Sequence, residues 1–135
     1  MNVLIETPKY SFKKYYYSEG KFRVDLRSPL PTIFNYGCLL DTKAGDGMPK
    51  DVLVLGSKIS QGETVEVEEV GVAYFTDRGK QDNKIVSSKD GRFGYLDRML
   101  VRLFMSVYAL YKNFYYPVFK RKFAKCKFYG LYVEK

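Results

Sequence analysis

The chain has 135 residues, 46% of them apolar and 17% aromatic, enough for one domain (1–135) with a packed core, which excludes a disordered tail. It contains no His and no Trp, so a His-based triad and His-ligated zinc are excluded, and any metal must be a hard ion held by oxygen, such as Mg²⁺ or Mn²⁺. The formal charge of +8 is concentrated after Asp97, where nine Lys/Arg face Glu134 alone; this suits an anionic partner or a solvated face.

In chain order, "KKYYY" and "KFRVDL" flank Ser18-Glu19-Gly20 and predict a β-hairpin. "DVLVLG" (51–56) is a nearly continuous apolar run, as in a strand buried on both faces. "ETVEVEEVGVAYF" (63–75) alternates at Val65 and Val67, then resumes out of phase at Val70, Val72 and Tyr74, which predicts a bulge near Glu68–Glu69. "KIVSS" (84–88) is a further strand. The period then changes. Leu96, Leu100, Leu103, Val107, Leu110 and Phe114 form a stripe that predicts an amphipathic helix laid on the sheet through these residues. Asp97 sits near its start, Lys112 near its end, and Pro117 marks the stop. "KFYGLYV" (127–133) predicts a last strand. The pattern is that of an α+β fold, a small curved antiparallel sheet or barrel with one main helix.

No basic start followed by a long apolar run opens the chain, and no stretch reaches membrane-spanning length, so a soluble cytoplasmic protein without a membrane partner is expected. Cys38 and Cys126 form no CxxC pattern and are expected to stay reduced there.

Two loops share a format. "DGMPKD" sets Asp46 and Asp51 five apart around Gly47 and Pro49, and "DRGKQD" sets Asp77 and Asp82 five apart around Gly79. Each alone is ordinary turn composition. If adjacent strands present both at one rim, four carboxylates converge and require cations to stay ionised.

The order of segments adds a family. "IETP" (5–8), a Lys-Tyr pair in "KKYYY", "VDLR" (24–27), "FNYG" (34–37), "DGMPKDVLVL", "VGVAYFTDRGKQDNKIV" and "LYKN" follow one another from about Ile5 to Lys112. This succession closely resembles the family I soluble inorganic pyrophosphatases. The resemblance implies a five-stranded OB-like antiparallel barrel with a main C-terminal helix, and Mg²⁺-dependent hydrolysis of pyrophosphate, with Mn²⁺ as a substitute. Position by position, it implies that Asp46, Asp51 and Asp82 hold the tight metal site, with Asp51 bridging to a second ion. Asp77 would bind a metal arriving with substrate, and Glu6 would stand at the rim. Lys14, Tyr36, Lys84, Tyr111 and Lys112 match groups that hold pyrophosphate oxygens. The resemblance also implies Arg27 as a phosphate ligand, from an Asp-Arg pair here split as Asp25 and Arg27 with one residue between. Asp51, Asp82 and Tyr36 are expected in the chemical step. These residue types suit a polyanionic substrate, since Lys and Arg give charge-assisted hydrogen bonds, Tyr gives a neutral donor, and paired metals activate water for in-line attack.

The pattern breaks at Met48, where the family places a middle aspartate that takes a proton from the attacking water. Lys50, Tyr16 and Thr32-Ile33 are further departures. Losing a positioned base costs about 10²–10⁴-fold. A homologue that binds metal and a phosphorylated ligand without turnover, or acts on another substrate, is the alternative reading. An OB-type nucleic-acid binder is a third, but it leaves the loop aspartates unexplained, so no nucleic-acid partner is expected. A homo-oligomer is expected; the short segment after the helix argues against presuming the usual hexamer.

Overall fold

β-branched and aromatic runs build most of the molecule. The computed structural model describes residues 1–39, 50–115, 117–118 and 125–134. Asp46 and Met48 therefore lie outside the described residues. Among the described residues are ten strands and one long helix: β1 (Asn2–Thr7), β2 (Lys13–Ser18), β3 (Lys21–Arg27), β4 (Asn35–Leu39), β5 (Lys50–Val54), β6 (Thr64–Glu66), β7 (Glu68–Asp77), β8 (Lys80–Gln81), β9 (Lys84–Ser88), α1 (Tyr95–Tyr115) and β10 (Lys127–Val133).

Strands β2 and β3 form the expected hairpin, closing at Ser18 opposite Lys21. The main sheet runs β10-β7-β9-β5-β4-β1-β6, with β8 paired to β7. β5 is the strand buried on both faces. Val52 and Val54 join Val3, Ile5, Ile59 and Ile85 on one side, while Leu53 and Leu55 join Phe34, Tyr36, Phe75 and Val86 on the other. Each such aliphatic side chain contributes about 1.5–3 kcal/mol through burial. Gly37 lets β4 approach β1, since a Cβ there would collide with the Leu4 carbonyl and Val3.

The ladder is an open path, and one of its pairings departs from the antiparallel expectation: β5 and β9 run parallel, with Asp51 opposite Lys84 and Leu53 opposite Val86. The expected irregularity in the 63–75 run falls near Glu68–Glu69, with a register shift between Glu69 and Gly71, and it divides the run into β6 on β1 and β7 on β9. Beyond it Ala73 and Phe75 point inward, and Tyr74 is exposed. A second expectation is corrected at α1, which forms where its period places it, with Asp97 in the first turn and Lys112 in the last, but buries the other face. Val101, Met105, Tyr108, Ala109, Lys112 and Tyr115 pack inward, and of the expected stripe only Leu100 touches the core. The helix is apolar on both sides, so the 3.6 period alone could not choose the face.

Candidate active site

Strand alternation assembles the site. Side chains two apart share a face. Asp51 therefore lies on the same side of β5 as Leu53, and Lys84 on the same side of β9 as Val86, facing α1. Tyr36 and Cys38 take that face of β4, where Cys38 is opposite Asp51. At the end of β7, Arg78 (φ 53°) and Gly79 (φ 80°) make a tight turn, a backbone state that favours glycine at the second position. Asp82 is then held by its N–H to the Phe75 carbonyl (2.9 Å), while the Phe75 N–H donates to Asn83 Oδ1 (3.1 Å).

At the centre, the fully buried Lys84 Nζ donates to both Asp51 and Asp82, at 2.6 Å from Asp82 Oδ2. Burial pushes the Asp51 carboxyl up, but Lys84, Lys14 and Lys112 together hold it below the ordinary value. Burial likewise opposes charge on Lys84, and Asp51 above all reverses that, raising its pKa well above the usual lysine value.

Lys14 forms a second anchor. Its Nζ donates to the Tyr108 hydroxyl (2.6 Å), lies 3.8 Å from Asp25 Oδ2 and sits over the Tyr36 ring at 4.6 Å. The Tyr36 hydroxyl is buried without a hydrogen-bond partner. Burial drives its pKa upward despite Lys14 and Lys84, so it remains a neutral donor. A buried orphan hydroxyl costs about 1–3 kcal/mol until a ligand oxygen or water meets it.

Asp77 goes elsewhere than Asp82. Lys112 Nζ, nearly buried, donates to Asp77 Oδ2 at 2.5 Å, and Cys126 Sγ lies 3.3 Å from Asp77 Oδ1. Burial would raise this carboxyl, but Lys112, with Cys126 and Arg78, brings it down to about 2. Glu6 accepts from the Tyr17 N–H (2.6 Å), yet burial lifts it to about 7, with Asp51 adding to the rise.

The structure thus gathers Asp51, Asp82 and Lys84, sets Lys14, Tyr36 and Lys112 around them, and pairs Asp77 with Lys112. Four carboxylates on one point is not what the described residues show: Asp51 and Asp82 converge, Asp77 is held by its own lysine, and Asp46 falls outside. No group of three His, Cys, Asp or Glu is gathered among the described residues. The donor set nonetheless suits a hard divalent ion, because a carboxylate from β5 and one from the loop before β9 already share one cation's charge. Arg27 is exposed, and its carbonyl accepts from the Tyr111 hydroxyl; both line a cleft of about 520 Å³ with Asp25.

Sequence reasoning missed Tyr108, Cys38 and Cys126. Tyr108 was accessible, being four residues before Lys112 on one helix face. The cysteines carried no local signal, since their neighbours Glu6 and Asp77 are distant in sequence. Asn35, quoted only within "FNYG", proves structural: its Oδ1 accepts from Lys9 N (3.0 Å) and Ile59 N (2.9 Å).

Comparison with known proteins places this geometry. The family model described as inorganic pyrophosphatase matches residues 3–100. An inorganic pyrophosphatase of Sulfolobus acidocaldarius is 39% identical over 92 residues, 64% of this chain and 53% of that protein. One of Thermoplasma volcanium is 41% identical over 90 residues, 63% of this chain and 53% of that protein. The chain spans about half the length of these curated relatives. A crystal structure of an inorganic phosphatase from Anaplasma phagocytophilum superposes with a TM-score of 0.75 at 28% identity, covering 98% of this chain and 84% of that one. The Thermus thermophilus inorganic pyrophosphatase shares the fold, with a TM-score of 0.82 at 24% identity, covering 98% and 82%. Matched over most of its length by the family model and carrying that family's ordered motifs, the chain belongs to the family I inorganic pyrophosphatases.

Proposed function

We propose that this chain hydrolyses inorganic pyrophosphate to two phosphates with divalent metal ions, Mg²⁺ by preference and Mn²⁺ as a substitute. The observation that supports this reading most is the convergence of Asp51 and Asp82 on Lys84, ringed by Lys14, Lys112 and the unpartnered Tyr36 hydroxyl. Asp46, Asp51 and Asp82 would hold the ions, with Asp77 and Glu6 at the margin. Bound ions supply Lewis-acid charge that activates water near neutral pH and offsets the charge of pyrophosphate.

The chain's own groups do the rest. Lys14, Lys84 and Lys112 bind phosphoryl oxygens by charge-assisted hydrogen bonds, and Tyr36 donates a neutral one. Tyr111 and Arg27 serve the outer end. Lys84 acts in two ways. While it holds Asp51 and Asp82 their oxygens are spent, and its turn toward phosphate frees them for cations. Met48 offers no proton acceptor, which at 10²–10⁴-fold removes about 3–5 kcal/mol of transition-state stabilisation.

Phosphate release from pyrophosphate with Mg²⁺ tests this on the natural chain and on Met48→Asp. Measurable turnover is expected, rising about 10²-fold or more in the variant. No gain in Met48→Asp with metal bound favours the second reading, a homologue that binds metal and a phosphorylated ligand without turnover. Lys84 already satisfying both carboxylates supports that reading; calorimetry showing tight pyrophosphate binding without phosphate release would establish it.

The finer architecture belongs to the same proposal. β6 and β7, separated by Val67 alone, are read as one bent strand joining β1 and β9, which closes an OB-like barrel of five strands. A cytoplasmic homo-oligomer fits the family and the reduced, buried cysteines.

A further inference from the structure

Strand register, with no local motif, brings Cys126 to Asp77. β10 pairs antiparallel with β7 and sets Lys127 opposite Thr76, so the residue before β10 falls opposite Asp77, which ends β7. The last turn of α1 ties down this end of the sheet. Asn113 Nδ2 donates to the Cys126 carbonyl (2.8 Å), and Asn113 Oδ1 accepts from the Cys126 N–H (2.6 Å). Lys112, one residue earlier, donates to Asp77 Oδ2. The other oxygen, Oδ1, lies 3.3 Å from Cys126 Sγ, within a thiol donor's reach. Cys126 is 4% exposed and the Asp77 side chain 13%, so little water competes for the carboxylate. A thiol is a weak donor in water, but an ionised acceptor and a dry setting both strengthen its bond. Arg78 Nε also reaches Oδ1 (3.3 Å), though from a side chain 47% exposed, where water and salt weaken the pair.

We propose that Cys126 is a positioning residue: its thiol holds Asp77 Oδ1, so that Asp77 keeps its place when Lys112 is drawn to a bound phosphoryl group. The two partners of Asp77 differ in freedom. The Lys112 ammonium ends a flexible four-carbon stem and can turn from carboxylate to phosphate. The Cys126 thiol has one side-chain rotation, and its backbone is bonded on both sides to Asn113, so it stays where it is. With Lys112 turned away, Oδ1 remains bonded and Oδ2 is open to a cation. An apolar residue at 126 would leave the carboxylate without this anchor. The consequence for metal use rests on the roles given to Asp77 and Lys112 in the proposed function; the thiol–carboxylate bond does not.

Raman spectroscopy of the S–H stretch tests the bond without metal or turnover. The Cys126 band, identified by its loss in Cys126→Ser, is expected below the free-thiol position. It should move up in Asp77→Asn, whose neutral amide accepts more weakly, and stay low in Lys112→Met. It should also stay low when pyrophosphate is added to the natural chain without metal. A free-thiol band in the natural chain, or one that rises in Lys112→Met, overturns the proposal. Phosphate release from pyrophosphate tests the consequence. Cys126→Ala is expected to raise the Mg²⁺ concentration for half-maximal release about two- to tenfold, as for one lost hydrogen bond. The kcat at saturating Mg²⁺ should change less, and Cys126→Ser should recover most of the shift. An unchanged Mg²⁺ requirement in Cys126→Ala, no recovery in Cys126→Ser, or a larger rise in Arg78→Ala also overturns it. A natural chain that releases no phosphate counts against the hydrolysis, and the thiol band then decides the placement of Asp77 by itself.

Discussion

Burial opposes the charge of an ammonium, yet Lys84 keeps its proton because Asp51 on β5 and Asp82 in the loop before β9 lie against it. Neutralising one member of a buried cluster strands the others. Lys84→Met keeps volume and removes the charge, and it is expected to destabilise the metal-free protein by about 3–5 kcal/mol in urea unfolding. Mg²⁺ is expected to restore part of that loss, since cations then replace the ammonium; no recovery would mean the two carboxylates do not share an ion. Asp77 gives a second reading at this scale. Its folded pKa of about 2 lies below the ordinary 3.8, so its contribution is complete above 3.8 and is lost as pH falls through 2. That contribution is about 2 kcal/mol. Carboxyl NMR titration of the metal-free protein should find Asp77 near 2, and Lys112→Met should return it toward the ordinary value; a titration unmoved by Lys112→Met would dissolve the pair.

At the scale of elements, α1 shows what periodicity can and cannot say. Its length and ends were legible because Asp97, Lys112 and Pro117 punctuate a 3.6-residue pattern. Its orientation was not, because Val101, Met105 and Tyr108 form an apolar row as good as Leu96, Leu103 and Leu110, and only the sheet decides between them. The structure's choice has a consequence. Met105→Ala should cost about 2–5 kcal/mol in urea unfolding, whereas Leu103→Ala should stay within about 0.5 kcal/mol. Equal losses would contradict the burial of the Met105 face. The site divides the same way. Asp51, Asp82, Lys84, Lys14 and Tyr36 could be named from ordered motifs, but the Lys84 bridge depends on β5 and β9 running parallel, a long-range pairing that no local pattern encodes. The bulge near Glu68–Glu69 was legible as a change of phase, but that the core beyond it goes to Ala73 and Phe75 depends on pairing with β9 and β10.

For the whole molecule, a charged rim and an apolar helix face stand apart. One rim gathers the buried lysines and carboxylates that suit a polyanion and its cations. The outer side of α1 is apolar and nearly uncharged. Under the proposed function, binding of pyrophosphate is expected whether or not turnover follows, because Lys14, Lys84 and Lys112 all act on Asp51 and would act on a bound anion alike. Turnover is therefore the discriminating quantity. The decisive measurement is the rate of phosphate release from pyrophosphate by the natural chain, with Mg²⁺ and with Mg²⁺ removed, beside Asp51→Asn. A Mg²⁺-dependent rate above background that Asp51→Asn abolishes is the predicted result; no release with Mg²⁺ and pyrophosphate both bound, or release that survives Asp51→Asn, would contradict it.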